Sequence, residues 1–205
     1  MSVLERNRVT LRQYKALWIV VTAVLALLVA SPALERILIY PQTDSFTEVW
    51  LLGPSHMAEN YPYNIIANEN YSVYLDIANH LGTCAYYIVD VKFRNETQSA
   101  PNSFNFTSSS LPSLYNLTAF VANGETWELP VTFEFSYNVT ALQVDFNSMT
   151  FNGLNINLTG ESSDWNSQAH AFYGNLFFEL WIYNSTTSTF QYHDRFVSLL
   201  LNMTV

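Results

Sequence analysis

The sequence predicts a mainly β protein: an N-terminal single transmembrane helix followed by an immunoglobulin-like antiparallel β-sandwich. Three observations carry that prediction. One long charge-free apolar run lies near the N-terminus. Beyond residue 41, apolar residues recur at every second position in one segment after another, which is the strand period. The composition also fits, with 16% aromatic and only 12% charged residues, and with Asn, Ser and Thr in much of the polar role. Aromatic and β-branched residues suit the pleated, half-buried surface of a sheet. A chain of 205 residues has room for one substantial domain and a short appendage, and needs no metal or disulfide to hold it.

The chain divides into a basic segment (1–15), an anchor (16–40) and an outer domain (41–205). Ala16 to Leu34 reads ALWIVVTAVLALLVASPAL without a charge. At about 1.5 Å per residue, it approaches the roughly 30 Å hydrocarbon thickness of a bilayer. Ile37 to Tyr40 extend the apolar length, and Trp18 and Tyr40 fall where interfacial rings settle. Arg6, Arg8, Arg12 and Lys15 place the N-terminus in the cytoplasm and the rest outside the cell. Pro32 sits near the outer end, where few helical hydrogen bonds are lost. Two processing alternatives share these features. A secretory signal would use the small residues Ala30, Ser31 and Ala33, and a type IV pilin-like signal would be cut between Lys15 and Ala16.

In the outer domain, Tyr71, Val73, Leu75 and Ile77 share one face, as do Ala85, Tyr87, Val89, Val91 and Phe93. Asp90, Lys92 and Arg94 stand on the opposite, wet side of the second run. Asn79 to Thr83 between them supplies turn chemistry, so the two runs read as a hairpin. His80 reads as a loop hydrogen-bonder there, and the lone Cys84 as a small buried hydrophobe. Trp127, Leu129, Val131, Phe133 and Phe135 alternate with Glu128, Pro130, Thr132 and Glu134. Pro130 donates no ladder bond, which requires an edge or a bulge. Val144 to Phe146 and Leu154 to Leu158 flank a turn at Asn152-Gly153. Leu176 to Tyr183 is apolar on both faces, as in a central strand. Val197, Leu199, Leu201, Met203 and Val205 line one side of the last run. Gln98 to Ser113 reads as a long loop, and Gln168 to Tyr173 as a short helical turn.

Eight Asn residues open an Asn-x-Ser/Thr sequon: Asn70, Asn95, Asn105, Asn116, Asn138, Asn157, Asn184 and Asn202. The Asn, Ser and Thr content gives roughly 3.5 by chance, and every sequon lies outside the anchor, so these are the candidate N-glycosylation sites. Past residue 40, three basic residues face fifteen acidic ones, a net charge of −12 that repels a phosphate backbone and argues against nucleic acid. The four histidines lack ligand spacing, and no nucleophile elbow or phosphate-cradling loop occurs. Glu128 and Glu134 share a strand face but stand about 20 Å apart, too far for paired-carboxylate chemistry. Asp145, Glu161 and Asp164 offer oxygens to calcium without a spacing that demands it. No catalytic residue, cofactor or metal site is assigned. Trp50, Trp165 and Trp181 are the candidates for an aromatic binding patch.

Phe46-Thr47-Glu48-Val49-Trp50-Leu51-Leu52-Gly53, Tyr61-Pro62-Tyr63-Asn64, Glu69-Asn70-Tyr71 and Asn79-His80 together resemble the C-terminal outer region of an archaeal membrane family, domain of unknown function 1616. Tyr86-Tyr87, Glu125-Thr126-Trp127 and Leu199-Leu200-Leu201 match its style, so the resemblance covers roughly residues 40–205. It implies an archaeal, membrane-bound, outward-facing β-domain and brings no known activity or site residues. Fuller members carry several membrane helices before this region, where this chain has one.

The expectation is therefore a glycosylated, single-pass surface protein that binds rather than catalyses. It would serve as a structural or binding module of the cell envelope or as an accessory subunit of a membrane complex. Its expected partners are membrane lipid, N-linked glycans, and an envelope protein or its own copies. A filament subunit is the alternative, and an envelope enzyme acting on glycans is the remote one.

Overall fold

A computed structural model describes residues 3–38 and 45–204, without the side chains of residues 3–13 and 33–38. The chain forms two compact units, Met1–Asp44 and Ser45–Val205.

The first unit is one helix, α1 (Val3–Leu38), which already begins inside the basic segment and runs on through Pro32. Within it, Tyr14–Pro32 is long and apolar enough to cross a membrane. Its described side chains are almost all exposed, so the helix has no core of its own and needs an apolar surrounding. Ile39 and Tyr40, read above as part of the anchor, lie outside the described residues.

The second unit contains eleven strands in two facing sheets. The first sheet runs β1 (Phe46–Leu52), β3 (Asn70–His80), β6 (Thr126–Val139), β7 (Gln143–Phe151) and β8 (Leu154–Asn157), all antiparallel. The second runs β5 (Tyr115–Val121), β4 (Ala85–Asn95), β10 (Ala171–Asn184), β11 (Thr189–Thr204) and β2 (Asn64–Ile66). Strand β9 (Ser162–Asn166) pairs with β7 at one end and β10 at the other, which joins the two sheets along one side. The expected antiparallel sandwich is present, with one parallel exception, β2 beside β11.

The alternating apolar faces meet in the core. Val73, Leu75, Ile77, Val131, Phe133 and Phe135 of the first sheet are all fully buried, as are Tyr87, Val91, Leu176, Phe178 and Leu201 of the second. Phe93 reaches across to Phe135 (5.1 Å between ring centres) and to Phe146 (4.9 Å, edge to face), a geometry aromatic pairs prefer. Pro130 pairs with Tyr74 of β3, whereas β7 joins β6 only from Phe133 onward. Its missing N–H therefore faces no strand, as its chemistry requires. Asn152 (φ 46°) and Gly153 (φ 80°) take the two left-handed positions of the β7–β8 turn. Leu176–Tyr183 lies in β10, between β4 and β11, as a central strand.

The hairpin expected between Tyr71–Ile77 and Ala85–Phe93 is not formed. Strand β3 lies between β1 and β6 in one sheet, and β4 between β10 and β5 in the other. The segment between them crosses the sandwich, and Asn79, fully buried, ties it down. Its Nδ2 donates to the carbonyls of Thr83 (2.8 Å) and Val121 (2.9 Å), and its Oδ1 accepts the Leu81 N–H (3.0 Å). Its backbone N–H donates to Glu125 and its carbonyl accepts from Gly124 (2.7 Å). One asparagine thus fastens both crossings, β3 to β4 and β5 to β6. His80 beyond it stacks on Phe46 (4.7 Å). Cys84, placed on the crossing rather than in a strand, is exposed and not buried as expected. The helical turn expected over Gln168–Tyr173 is not formed: residues 167–170 make the tight turn between β9 and β10, and Ala171–Tyr173 begin β10.

Lys92 also departs from expectation. It points to the outer face of the second sheet but is only 4% exposed, because the 96–114 loop covers it. Its Nζ donates to Glu179 Oε2 (2.8 Å) and to the Ser109 carbonyl (3.0 Å), and Glu179 Oε1 accepts the Ser109 N–H (2.6 Å). The loop is bound down through buried charge.

At the side away from β9, a bulge in β11 shifts the register between Leu180 and Trp181 of β10 and turns His193 toward β1. His193 Nε2 lies 2.8 Å from Thr47 Oγ1, which lies 3.0 Å from the Tyr87 hydroxyl. Burial first, with Arg195 adding to it, holds His193 below its ordinary pKa, which favours the neutral imidazole in its contact with Thr47.

Asn79→Ala removes three side-chain hydrogen bonds at a crossing and is expected to cost about 3 kcal/mol in urea unfolding. Asn79→Asp sets an acceptor against two carbonyls and should be less stable at neutral pH than at pH ~4, where it carries a proton. Glu179→Ala strands the Lys92 charge and should cost about 3–5 kcal/mol. The Lys92→Met/Glu179→Gln pair keeps an acceptor for Ser109 and should recover more than half of that loss.

A candidate binding face

The outward positions of β1, β3 and β6 stand in rows set by the register. Trp50, Asp76 and Glu128 form one row, and Leu52, Tyr74 and Pro130 the next. Residues 53–63 then fold back over this face. Gly53 makes the return possible, since a Cβ there would collide with the Glu59 carbonyl oxygen. Its N–H donates to Met57 O (2.8 Å) and its carbonyl accepts from His56 (3.0 Å). His56, held at φ 56°, lays its ring on Tyr74 (3.7 Å, 27° between planes) with Nδ1 3.1 Å from Glu128 Oε2.

Asp76 lies beneath this cover at 3% exposure. Its Oδ2 is buried and, among the described residues, has no hydrogen-bond partner. Burial first, then the neighbouring Glu128, push its carboxyl up to about 6 from 3.8, against the opposing pull of His56. Cross-strand neighbours sit about 5 Å apart at Cβ, so the covered Asp76 stands beside the exposed carboxylate of Glu128.

Beside the row, a groove of about 480 Å³ opens between Trp50 and Leu51 of β1, Tyr61–Tyr63, and Val197–Leu200 of β11. The Tyr61 hydroxyl donates to the Leu51 carbonyl (2.7 Å) at the free edge of β1. The Tyr63 carbonyl accepts the Asn202 N–H (2.7 Å), which fixes the other rim to β11. That bond also sets the direction of the strand's free edge: by the two-residue alternation of a ladder, the peptide groups of Ser198 and Leu200 face the groove as well. Tyr61, Tyr63 and Leu200 are exposed, and no lining side chain is charged.

Of the three tryptophans expected to form a patch, only Trp50 lines this groove. Trp165 on β9 packs edge-on to Phe172 (4.9 Å), and Trp181 on β10 against Tyr192 (5.7 Å). The four histidines go to four places: His56 on Tyr74, His80 on Phe46, His170 near Trp165, and His193 at Thr47. Glu161 accepts from Gln98 (2.7 Å), while Asp145 and Asp164 pair along β7 and β9 with Ser162 and Gln143. Among the described residues, no three His, Cys, Asp or Glu side chains converge as metal ligands. Glu128 stands in its expected row, but its carboxylate neighbour is Asp76 and not Glu134. The sequence reading weighed His56 only as a metal ligand and passed over Asp76. The signal for Asp76 was its outward position in an alternating strand, and nothing local marked it as covered.

Of the sequons, Asn70, Asn105, Asn116, Asn138 and Asn157 are exposed, and Asn95, Asn184 and Asn202 are half-buried. The side-chain nitrogen is engaged in Asn95 (Ser162 O, 2.8 Å), Asn116 (Asp90 Oδ1, 2.9 Å), Asn138 (Asn147 Oδ1, 3.4 Å), Asn184 (Gln191 Oε1, 3.1 Å) and Asn202 (Asn64 Oδ1, 2.9 Å). Asn202 also accepts the Phe172 N–H, so it serves as a structural clasp.

The Asp76 shift has a definite sign. The folded state holds this proton more tightly than the unfolded chain, so the stability it contributes is present below pH 3.8 and lost as pH rises through about 6. A shift of this size corresponds to about 3 kcal/mol. Asp76→Asn is expected to raise unfolding stability at neutral pH by about 2–3 kcal/mol, with the gain fading as pH falls toward 4, read from urea titrations across that range.

No curated protein matches the chain by sequence. Among solved structures, a β-glucosidase from Listeria innocua in complex with glucose is similar at 11% identity and a TM-score of 0.38, over 80% of this chain and 17% of that one. The chain thus spans about a sixth of that enzyme's length. The CARDB domain of the PF1109 protein from Pyrococcus furiosus, in complex with di-metal ions, is similar at 9% identity and a TM-score of 0.37, over 78% and 89%. A complex of zinc 2-glycoprotein and prolactin inducible protein from human seminal plasma gives 7% identity and a TM-score of 0.38, over 80% and 100%. Likeness at this level carries no functional argument. The family profile "Domain of unknown function (DUF1616)" matches residues 41–170, which include β1 to β9 and the whole Trp50–Asp76–Glu128 row, and the chain belongs to that family.

Proposed function

We propose that the protein is a single-pass, N-glycosylated surface protein of an archaeal cell envelope. Its β-sandwich is held outside the membrane by α1, with the N-terminus in the cytoplasm, and binds a protein neighbour as an accessory or structural subunit. The observation that carries this reading is the pairing of one membrane-length apolar helix, basic at its N-terminal side, with a domain that presents an uncharged aromatic groove. Grooves of this size, lined by rings and a few polar groups, are the usual form of a binding site. The aromatic rims and the exposed Leu200 have the character of an interface core. No side-chain set suited to turnover accompanies the groove among the described residues, so binding is the function assigned to it. Residues 41–205 carry −12, which favours a basic or neutral neighbour.

A photo-cross-linker at Leu200, activated in native membranes, tests this. A stoichiometric foreign partner identified by mass spectrometry supports the accessory role. A ladder of self-links redirects the reading to a filament or lattice, and no adduct at all removes it. Glycopeptide mass spectrometry is expected to find sugar at Asn70, Asn105 and Asn157, whose nitrogens are free among the described residues, and an unmodified Asn202.

A further inference from the structure

We infer that the Asp76–Glu128 pair is a receptor for an arginine side chain of the protein partner, flanked by the rings of Trp50 and Tyr74 and guarded by His56. The inference deepens the binding reading above and rests on it.

The starting point is a charge without an answer. Three buried side-chain polar atoms lack a partner among the described residues, and Asp76 Oδ2 is the one that belongs to an acid. The other buried carboxylate, Glu179, is fully satisfied. The outer domain has three Lys and Arg residues, and none is bonded to Asp76 or Glu128. Lys92 serves Glu179, Arg94 donates to the carbonyls of Asn95 and Gln98, and Arg195 donates to the Asp194 carbonyl. No lysine or arginine of the outer domain balances Asp76 and Glu128, which leaves the pair open to a cation from a partner.

The shape of the site selects its class. His56 is a flat ring stacked on Tyr74 with a nitrogen on Glu128. A guanidinium makes the same two contacts at once, since it stacks on aromatic faces and forks onto carboxylates. It carries further N–H groups that reach Asp76, which an imidazole bonded through Nδ1 to Glu128 leaves unpaired. A lysine ammonium offers the charge without the plane. His56 is also the piece that can leave: its side chain is 51% exposed, and it sits at a left-handed φ that a non-glycine residue adopts at a cost. Trp50 joins the pair to the groove, where the neighbouring residues of an extended, apolar segment find the free peptide groups of Ser198 and Leu200. Strand addition at such an edge is an established mode of peptide capture.

Ionisation gives the site a pH profile. Facing Asp76 are Glu128 from β6, His56 from the covering loop and Trp50 from β1. Glu48 stands one row away and Tyr74 on the same strand. With Asp76 protonated below about 6, the site loses one of its two charges, so capture should strengthen as pH rises to neutrality.

The test uses the full chain in neutral-lipid nanodiscs and two peptides, acetyl-Val-Arg-Leu-Val-amide and its citrulline counterpart, which has the same shape and no charge. Calorimetry near neutral pH is expected to show at least tenfold tighter binding of the arginine peptide. That preference should shrink below pH ~6 and disappear in Asp76→Asn. The variant is expected to be at least as stable as the native chain, so loss of binding would not reflect misfolding. Equal binding of the two peptides, no binding of either at ~10 mM, or a preference that survives Asp76→Asn overturns the inference. So does Asp76-dependent binding of a neutral oligosaccharide without an arginine preference. The photo-cross-link at Leu200 separates the two levels. A partner captured equally by the native and Asp76→Asn chains leaves the binding module standing and sinks its arginine receptor, whereas no partner with either chain sinks the module itself.

Discussion

The fold depends on one buried amide. Two consecutive strands with matching alternation and a glycine-containing turn between them would ordinarily pair as a hairpin, and that arrangement would place β3 and β4 in one sheet. Asn79 supports the crossing by satisfying peptide groups that a chain passing the sandwich end would otherwise leave without partners. Because β3 is released from β4, β1 and β6 can flank it, and only then do Trp50, Asp76 and Glu128 fall into one row. The binding face is a downstream consequence of that amide.

Among the described residues, two buried carboxylates obey the same electrostatics with opposite outcomes. Glu179 was given a lysine, an N–H and a loop to seal them, so its charge is absorbed into the structure. Asp76 was given a second carboxylate and a half-exposed imidazole, so its charge is held at the expense of stability. A chain that can build the first arrangement has no physical need for the second unless the deficit is used. Groups held in unfavourable ionisation states gather at functional sites for this reason.

What was legible in the sequence was what two-residue alternation and turn chemistry dictate locally. The faces of Val73–Ile77, Tyr87–Phe93 and Val131–Phe135, the Asn152-Gly153 turn, the edge at Pro130 and the central place of Leu176–Tyr183 all appear as expected. What was not legible was set by distant partners. Lys92 looked solvated because its own strand alternates, and the loop that covers it is about seventeen residues further on. Cys84 looked buried because its neighbours are strand-like, but it falls on a crossing. Strand β2 has three residues and a parallel partner, and no periodicity fits into three positions. The site divides in the same way. Trp50 could be named from its type, but Asp76 and His56 acquire meaning only through register and through a loop that returns over them.

The two sides of the sandwich are not equivalent, and this bears on how it moves. Along one side β9 is hydrogen-bonded to both sheets and acts as the spine of a book. Along the other, β1 and β11 are not paired, and they are linked by His193, which reaches Thr47 from a bulge, and by residues 61–63, which bond to both edges. Opening motions of such an object have their hinge at the spine and their largest amplitude at the fore-edge, where the groove lies. The width of the groove is then set by side-chain and loop contacts rather than by strand pairing. A segment seated there would hold the covers shut, which makes the bound partner part of the binding.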